Sequence, residues 1–477
     1  MSKYDYDLIV LGGGAAGFVS SKLAASLGKR VAMIEKNRLG GECTNNGCIP
    51  SKALINSSRT SYLIKNARKC GIDLSTANLN TDNVMSHVRS VVERVYSGHT
   101  PDVFNRLGID VLFGAPTFKD NHRIELNGGK ITSDKFIIST GSSPLIPDVE
   151  GLNNVPYLTN QNIFNLEKLP ESMIILGGGP IGAEMASALR LLGVDISLVH
   201  RHESILNRED GELTALLSEK FRADGIRLFT GFKPVKFSME AGKISLNLTD
   251  RNNAEQTLNA ESLLIATGRK ANVEGLGLEN AGVRYSAKGI EADGMLRTTC
   301  RNIYACGDVT GGHQFSHMAE YQAIIAARNA MLPIKKKADY RDYAWCIFTS
   351  PEIAHAGLTE KEARNIYGDR IKIYRYNYKD IDRGKTDIAE TGMSKFICDS
   401  KGMLVGAHIL GARAGELIHE AQIVKSLGIP FYKLYSVTHI YPTFTDVVKH
   451  PAKLCYIDRL NENIFLKILK KMISQKG

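Results

Sequence analysis

Tyr6-Asp7-Leu8-Ile9-Val10-Leu11-Gly12-Gly13-Gly14-Ala15-Ala16-Gly17 is the stretch that decides the fold. An apolar run with strand character meets Gly-x-Gly-x-x-Gly, and small residues then continue in a helical pattern through Leu27. A second strand pattern, Val31 to Ile34, ends at Glu35. Gly12 permits the tight turn, and Gly14 lets the backbone approach a pyrophosphate at the helix N-terminus. Gly17 allows close helix–strand packing, and Glu35 can hydrogen-bond ribose hydroxyls. The glycines alone are a weak signal; with strand, helix, second strand and acid in order they predict a dinucleotide-binding βαβ unit.

The pattern recurs. Met173-Ile174-Ile175-Leu176-Gly177-Gly178-Gly179-Pro180-Ile181-Gly182-Ala183-Glu184 has the same architecture, followed by a strand pattern from Asp195 to Val199. Counting from the first glycine, the place of Glu35 is taken here by His200, followed by Arg201 and His202, with Arg208 close behind. An acid there would repel a 2′-phosphate, whereas Arg accepts one. NADPH is therefore expected over NADH, the plainer alternative being a solvated strand end. Two such units imply two dinucleotides, FAD on the first and NAD(P)H on the second, with a hydride passing between them.

Between the two lies Gly40-Gly41-Glu42-Cys43-Thr44-Asn45-Asn46-Gly47-Cys48-Ile49-Pro50-Ser51-Lys52. Two thiols this close, on a Gly-punctuated segment leading into a helical pattern, can close a short ring and reopen. A sulfur near a helix N-terminus has a stabilised thiolate, which suits exchange. A buried pair or a zinc half-site is the alternative, but a zinc site needs two further ligands and no second Cys pair of matching spacing occurs. Cys70, Cys300, Cys306, Cys346, Cys398 and Cys455 show no ligand spacing and read as small core residues.

At 477 residues the chain should hold two to four domains. Its eight Cys are scattered, unlike a secreted disulfide framework. No signal-peptide pattern precedes the first strand and no apolar run is long enough to span a bilayer, so a cytoplasmic location is expected. The net charge of +10 comes without basic runs interleaved with aromatics, which argues against a nucleic-acid partner.

On these motifs the chain resembles the flavoprotein pyridine nucleotide–disulfide oxidoreductases, the group of dihydrolipoamide dehydrogenase, glutathione reductase and mercuric reductase. Besides the two fingerprints and residues 40–52, the matching runs are Ser139-Thr140-Gly141, Ala266-Thr267-Gly268-Arg269 and Tyr304-Ala305-Cys306-Gly307-Asp308. They continue with Phe348-Thr349-Ser350-Pro351-Glu352-Ile353-Ala354 and Gly411-Ala412-Arg413-Ala414-Gly415-Glu416-Leu417-Ile418. The resemblance implies an α/β protein with two Rossmann-like dinucleotide-binding domains and a C-terminal α+β dimerisation domain. A discontinuous FAD domain would cover 1–148 and 272–341, an NAD(P)H domain 149–271 and an interface domain 342–460. It implies a homodimer whose C-terminal residues complete the partner's active site. It also implies roles. Cys48 would form the charge-transfer thiolate against the flavin, and Cys43 would be the interchange thiol. Lys52 would lie beside flavin N5 with Glu184 as its ion-pair partner, and Asp308 would bind the ribityl chain. Gly141, Gly268 and Arg269 belong to the cofactor-binding motifs.

One motif departs from the pattern. In disulfide-reducing members a His precedes Pro-Thr and a Glu follows four residues after that Pro; here Tyr441 and Asp446 hold those places. A phenol has a pKa of about 10, so Tyr441 is a poor base at neutral pH, where general acid–base help is worth roughly 10²–10⁴-fold. His439 is a possible substitute. A Tyr here resembles mercuric-reductase-like members, and a soft metal held by two thiolates needs no proton shuttle. Dedicated mercuric reductases, however, carry a C-terminal Cys pair that this chain lacks.

The final segment, 461–477, includes Ile464-Phe465-Leu466-Lys467-Ile468-Leu469-Lys470-Lys471-Met472-Ile473. It predicts a basic amphipathic helix that docks on its own dimer or lies on an anionic membrane surface. The sequence thus reads as an FAD-dependent NAD(P)H oxidoreductase with a redox-active Cys43–Cys48 pair and a small-molecule or small-protein acceptor. A disulfide outside the glutathione and lipoamide class, a soft metal ion, or a quinone-type or slow sensing role remain as alternatives for that acceptor.

Overall fold

The computed structural model describes residues 3–74, 79–312 and 314–463. The basic tail expected beyond 461 lies, from 464 on, outside the described residues. Two compact units emerge: Met1–Leu176 with Lys236–Ser245 and Asn259–Asp339, and Gly177–Val235 with Leu246–Leu258 and Tyr340–Gly477.

The first unit is built on a seven-stranded sheet. Its parallel part runs in the order Ile109–Phe113, Val31–Glu35, Tyr6–Leu11, Gly129–Ile138, with Ile303–Ala305 also parallel on Gly129–Ile138. Leu8, Ile9 and Val10 are fully buried, as expected for a strand covered on both faces. Leu8 and Val10 pack with Ala16, Met33 and Ala326, whereas Ile9 and Leu11 pack on the opposite face with Phe118, Ile124 and Ile138. The helix Ala15–Ser26 buries Ala16, Gly17, Ser20 and Ala24, small enough to seat it closely against the helix Ser316–Met331 and its buried Ala319, Ala323 and Ala327. In the same unit the strands Ser172–Leu176 and Ser262–Ile265 pair in parallel.

The second unit carries the rest of the second fingerprint. Helix Pro180–Leu191 starts with proline at its first turn, where no amide hydrogen bond is lost. Strands Asp195–His200 and Arg227–Thr230 pair in parallel, placing His200 opposite Thr230. The C-terminal part is a five-stranded antiparallel sheet in the order Ala344–Ile347, Glu352–Gly357, Leu404–Gly411, Met393–Cys398, Lys372–Asn377. One face buries Ala354, Phe396, Ala407 and Ile409 against helices Ala414–Ser426 and Asp446–Glu462. The architecture is the expected α/β fold with dinucleotide-binding βαβ units and a C-terminal α+β domain. Among the described residues, no helix is long and apolar enough to cross a membrane.

Candidate active site

The first fingerprint forms a cradle that only glycine can build. Gly12 has φ +107°, and a Cβ there would fall 2.4 Å from the Ser139 carbonyl oxygen. A Cβ on Gly17 would meet the Gly12 carbonyl at 1.9 Å. At Gly14 the nearest atom would be Gly41 Cα at 3.7 Å, so this backbone faces open space as an approaching pyrophosphate requires. Glu35, at the end of its strand, accepts the Gly13 N–H at 2.8 Å and the Asn37 N–H at 2.9 Å, which fixes its carboxylate beside the glycine turn. These residues fit FAD.

The second turn repeats this geometry with a different side chain. Gly177 has φ +119°, Gly179 has no neighbour within 4 Å of an added Cβ, and Gly182 is buried in its helix. In the place of Glu35, His200 Nδ1 accepts the Gly178 N–H at 3.0 Å. Burial, then the charges of His202 and Arg201, push the His200 imidazole down to about 4. A neutral ring therefore replaces an anion. Arg201 and His202 are both exposed beside it. This set fits a nicotinamide nucleotide.

Cys43 lies on the short helix Gly41–Asn45, and Cys48 is the first residue of the 18-residue helix Cys48–Lys65. Gly47 makes the break between them, since a Cβ there would press on the Glu42 carbonyl oxygen at 2.9 Å. The chain thus stops one helix and starts another within five residues, placing Cys48 at a helix N-terminus where a thiolate is favoured. The two Cys side chains lie within hydrogen-bonding reach of each other. A hydrogen bond with Cys48 pushes the Cys43 thiol up strongly, as do burial and the Cys48 charge, while Ser316 and the Lys52 ammonium pull it down. Cys48 Sγ is 3.2 Å from Ser316 Oγ, at the start of the helix Ser316–Met331.

Around this pair runs a polar frame centred on Arg269. Its Nε donates to Ser142 Oγ at 2.7 Å, its Nη2 to the Ser142 carbonyl at 2.7 Å, and it pairs with Glu42 at 3.1 Å and Asp308 at 3.7 Å. Asp308 in turn accepts from Ser142 Oγ at 2.6 Å. Glu42, next to Cys43, is also held by the side-chain amides of Asn160 and Gln161. Gly141, at φ +70°, and the Gly268 carbonyl, bonded to the Leu145 N–H at 2.9 Å, belong to the crossing strands that carry this frame. Among the predicted residues the structure thus brings Arg269 and Asp308 together. Sequence reasoning missed Glu42, Ser142 and Ser316. Glu42 could have been found from its place inside the thiol motif; Ser316 carries no local signal.

Comparison with known proteins agrees with this geometry. The pyridine nucleotide-disulphide oxidoreductase profile matches residues 6–323, and the dimerisation-domain profile of the same name matches 343–452. The chain belongs to the pyridine nucleotide-disulphide oxidoreductase family. It is 33% identical over 450 residues to a mercuric reductase of Staphylococcus aureus, covering 94% of this chain and 82% of that protein. It is also 33% identical over 466 residues to a dihydrolipoyl dehydrogenase of Corynebacterium glutamicum, covering 94% and 97%. Among solved structures it resembles the Cu(II) complex of the HOCl-induced flavoprotein disulfide reductase RclA from Escherichia coli. The TM-score is 0.85 at 26% identity, over 95% of this chain and all of that one. Family members bind FAD and NAD(P)H, and the dimerisation domain marks this oxidoreductase as a homodimer-former.

In this oxidoreductase the C-terminal motif is built from an exposed loop and a buried helix start. Tyr441 is 68% exposed, and its phenol donates to Asp382 at 3.1 Å. That hydrogen bond, then the Asp382 charge, raises the phenol further above its ordinary range. Asp446 is buried as the first residue of the helix Asp446–Glu462. His439 has Nε2 3.2 Å from Glu420 and Nδ1 2.9 Å from the Val437 carbonyl, so both ring nitrogens are engaged. Glu184, on the helix Pro180–Leu191, is buried and accepts the Phe348 N–H at 2.9 Å.

Proposed function

We propose that this chain oxidises NADPH in preference to NADH and delivers the electrons through Cys43 and Cys48 to a small acceptor outside the glutathione and lipoamide class. The observation that carries this reading is the thiol pair: two Cys side chains within hydrogen-bonding reach of each other, one at a helix N-terminus and within reach of the Ser316 hydroxyl. Bound FAD would supply the two-electron relay between nucleotide and thiols. Gly12, Gly14, Gly17 and Glu35 would hold its adenosine diphosphate end, with Lys52, Gly141, Asp308 and Arg269 on the remainder. Gly177, Gly179 and Gly182 would border the nicotinamide nucleotide, with Arg201 and His202 at its 2′-phosphate.

Towards a disulfide, the Cys43 thiolate attacks one sulfur and expels the first thiolate. The Cys48 thiolate then attacks Cys43, closes the protein disulfide and expels the second. Each leaving thiolate needs a proton. Tyr441, its phenol raised further by Asp382, supplies this poorly near neutral pH, and His439 is committed to Glu420 and Val437. This supports a second reading, a soft metal ion held by the two thiolates, which requires no proton shuttle. The likeness to proteins named mercuric reductase and to a Cu(II) complex of RclA points the same way. The reducing chemistry suits the cytoplasm.

Anaerobic titration with NADPH tests the reading. A long-wavelength absorbance band at two electrons, followed by turnover with disulfides or with Hg²⁺ or Cu²⁺ in excess thiol, is the expected result. Bleaching of the flavin without that band would remove the thiols from the electron path. A quinone-type diaphorase whose activity survives Cys43→Ser would then replace it.

A further inference from the structure

The turn of the second fingerprint is hydrogen-bonded, link by link, to the sheet of the dimerisation domain. Besides donating to His200, Gly178 accepts the Leu206 N–H at its carbonyl at 2.8 Å. Leu206 is buried with φ +49°, a left-handed conformation that a leucine keeps only when its surroundings impose it. Its carbonyl accepts the Glu209 N–H at 2.8 Å. The Glu209 carboxylate then accepts from Trp345 Nε1 at 2.7 Å and from His355 Nδ1 at 2.8 Å.

Both nitrogens of His355 are engaged, Nδ1 with Glu209 at 2.8 Å and Nε2 with the Gly357 carbonyl at 2.7 Å, so the ring is fixed between two oxygens. The side chains of His355 and Glu209 are only 3% and 5% exposed. The next residue, Asp210, makes a second buried pair with Lys395 at 2.9 Å, and Lys395 also meets Glu212 and Glu360 at 3.0 and 2.7 Å. These partners are in register: Trp345, His355, His408, Lys395 and Arg375 stand directly opposite one another across the five strands. One polar row of the sheet thus receives the acidic end of the loop whose other residues include Arg201, His202 and Arg208. A buried charge that loses its partner is strongly destabilising, so the loop end cannot leave this row without cost.

We propose that this connection couples occupancy of the nucleotide turn to the dimerisation domain, with Glu209 as the positioning residue and Trp345 as the far end of the link. The inference rests on the reading of the second turn as the NADPH site. A ligand that draws on Arg201, His202 and Arg208 acts on the same short loop that Glu209 anchors, so the ligand and the sheet bias one element.

Trp345 is the sole tryptophan of the chain, so its emission reports on this row alone. The FAD-loaded full-length protein is titrated with 2′,5′-ADP and with 5′-AMP, following heat and tryptophan emission together. The expected result is an emission change that saturates along the calorimetric isotherm. Glu209→Gln is expected to weaken binding about tenfold, with FAD content and the two-electron thiol titration kept. The wild-type emission decides the matter even if that variant does not fold. Heat of binding with unchanged emission overturns the coupling and leaves the nucleotide reading intact. Absence of heat with either nucleotide overturns the nucleotide reading itself.

Discussion

Ser316 Oγ lies 3.2 Å from Cys48 Sγ although 268 residues separate them in sequence. The hydroxyl can donate to the thiolate from one helix start while the Cys48 helix contributes its own positive end. Hydrogen bonds to a charged group are worth roughly 1.5–3 kcal/mol, or about one to two pH units of thiolate stability. Ser316→Ala should therefore shift the pH at which the long-wavelength band of the two-electron-reduced protein appears upward by about one unit. An unmoved midpoint would assign Ser316 a packing role only.

Arg269 lies between two carboxylates, Glu42 at 3.1 Å and Asp308 at 3.7 Å, with its own side chain 13% exposed. Arg269→Gln leaves both acids without their cation and should cost ~3 kcal/mol in denaturant unfolding. Glu42→Gln in the same background should recover part of that loss, because the two residues share one interaction. Strict additivity of the two substitutions in a double-mutant cycle would show that the pair contributes nothing.

Tyr441→His restores an imidazole where the family's disulfide reductases carry one. Turnover with glutathione disulfide or lipoamide should rise at least about tenfold, given the usual 10²–10⁴-fold value of acid–base help. Tyr441→Phe should leave disulfide turnover within about twofold, since the phenol is a poor base there. If Tyr441→Phe instead abolishes disulfide reduction, the phenol is an active proton donor and the metal-ion reading loses its main support.

His200 titrates at about 4 in the fold because burial first, and then His202 and Arg201, disfavour its cation. In the unfolded chain the ring takes its proton near 6.5. Between these values the unfolded state binds more protons, so stability from this group is complete above about 6.5 and is lost as pH falls towards 4. The ring is half-buried, and screening reduces the effect to ~1–2 kcal/mol. His200→Gln should flatten that acid limb by this amount in unfolding curves between pH 7 and 4, and an unchanged slope would contradict the neutral-ring geometry.

The periodic apolar runs, the two glycine fingerprints and the spaced Cys pair were enough to give the fold class and the family, and to mark two βαβ turns and a close thiol pair. Each is a local signal: Gly12 and Gly177 need positive φ, Tyr6–Leu11 needs burial on both faces, and residues 43 and 48 are near in any compact chain. Even Glu35 could be placed by counting, because the strand that carries it has a fixed rise. What the sequence could not reveal are partners chosen across hundreds of residues. Ser316 meets Cys48, Arg269 ties Glu42 to Asp308, and Glu209 enters a row formed by Trp345, His355 and Lys395. No periodicity encodes these meetings, because strand order and register decide which side chains lie opposite one another. Only the folded chain makes a buried carboxylate select the cation it needs.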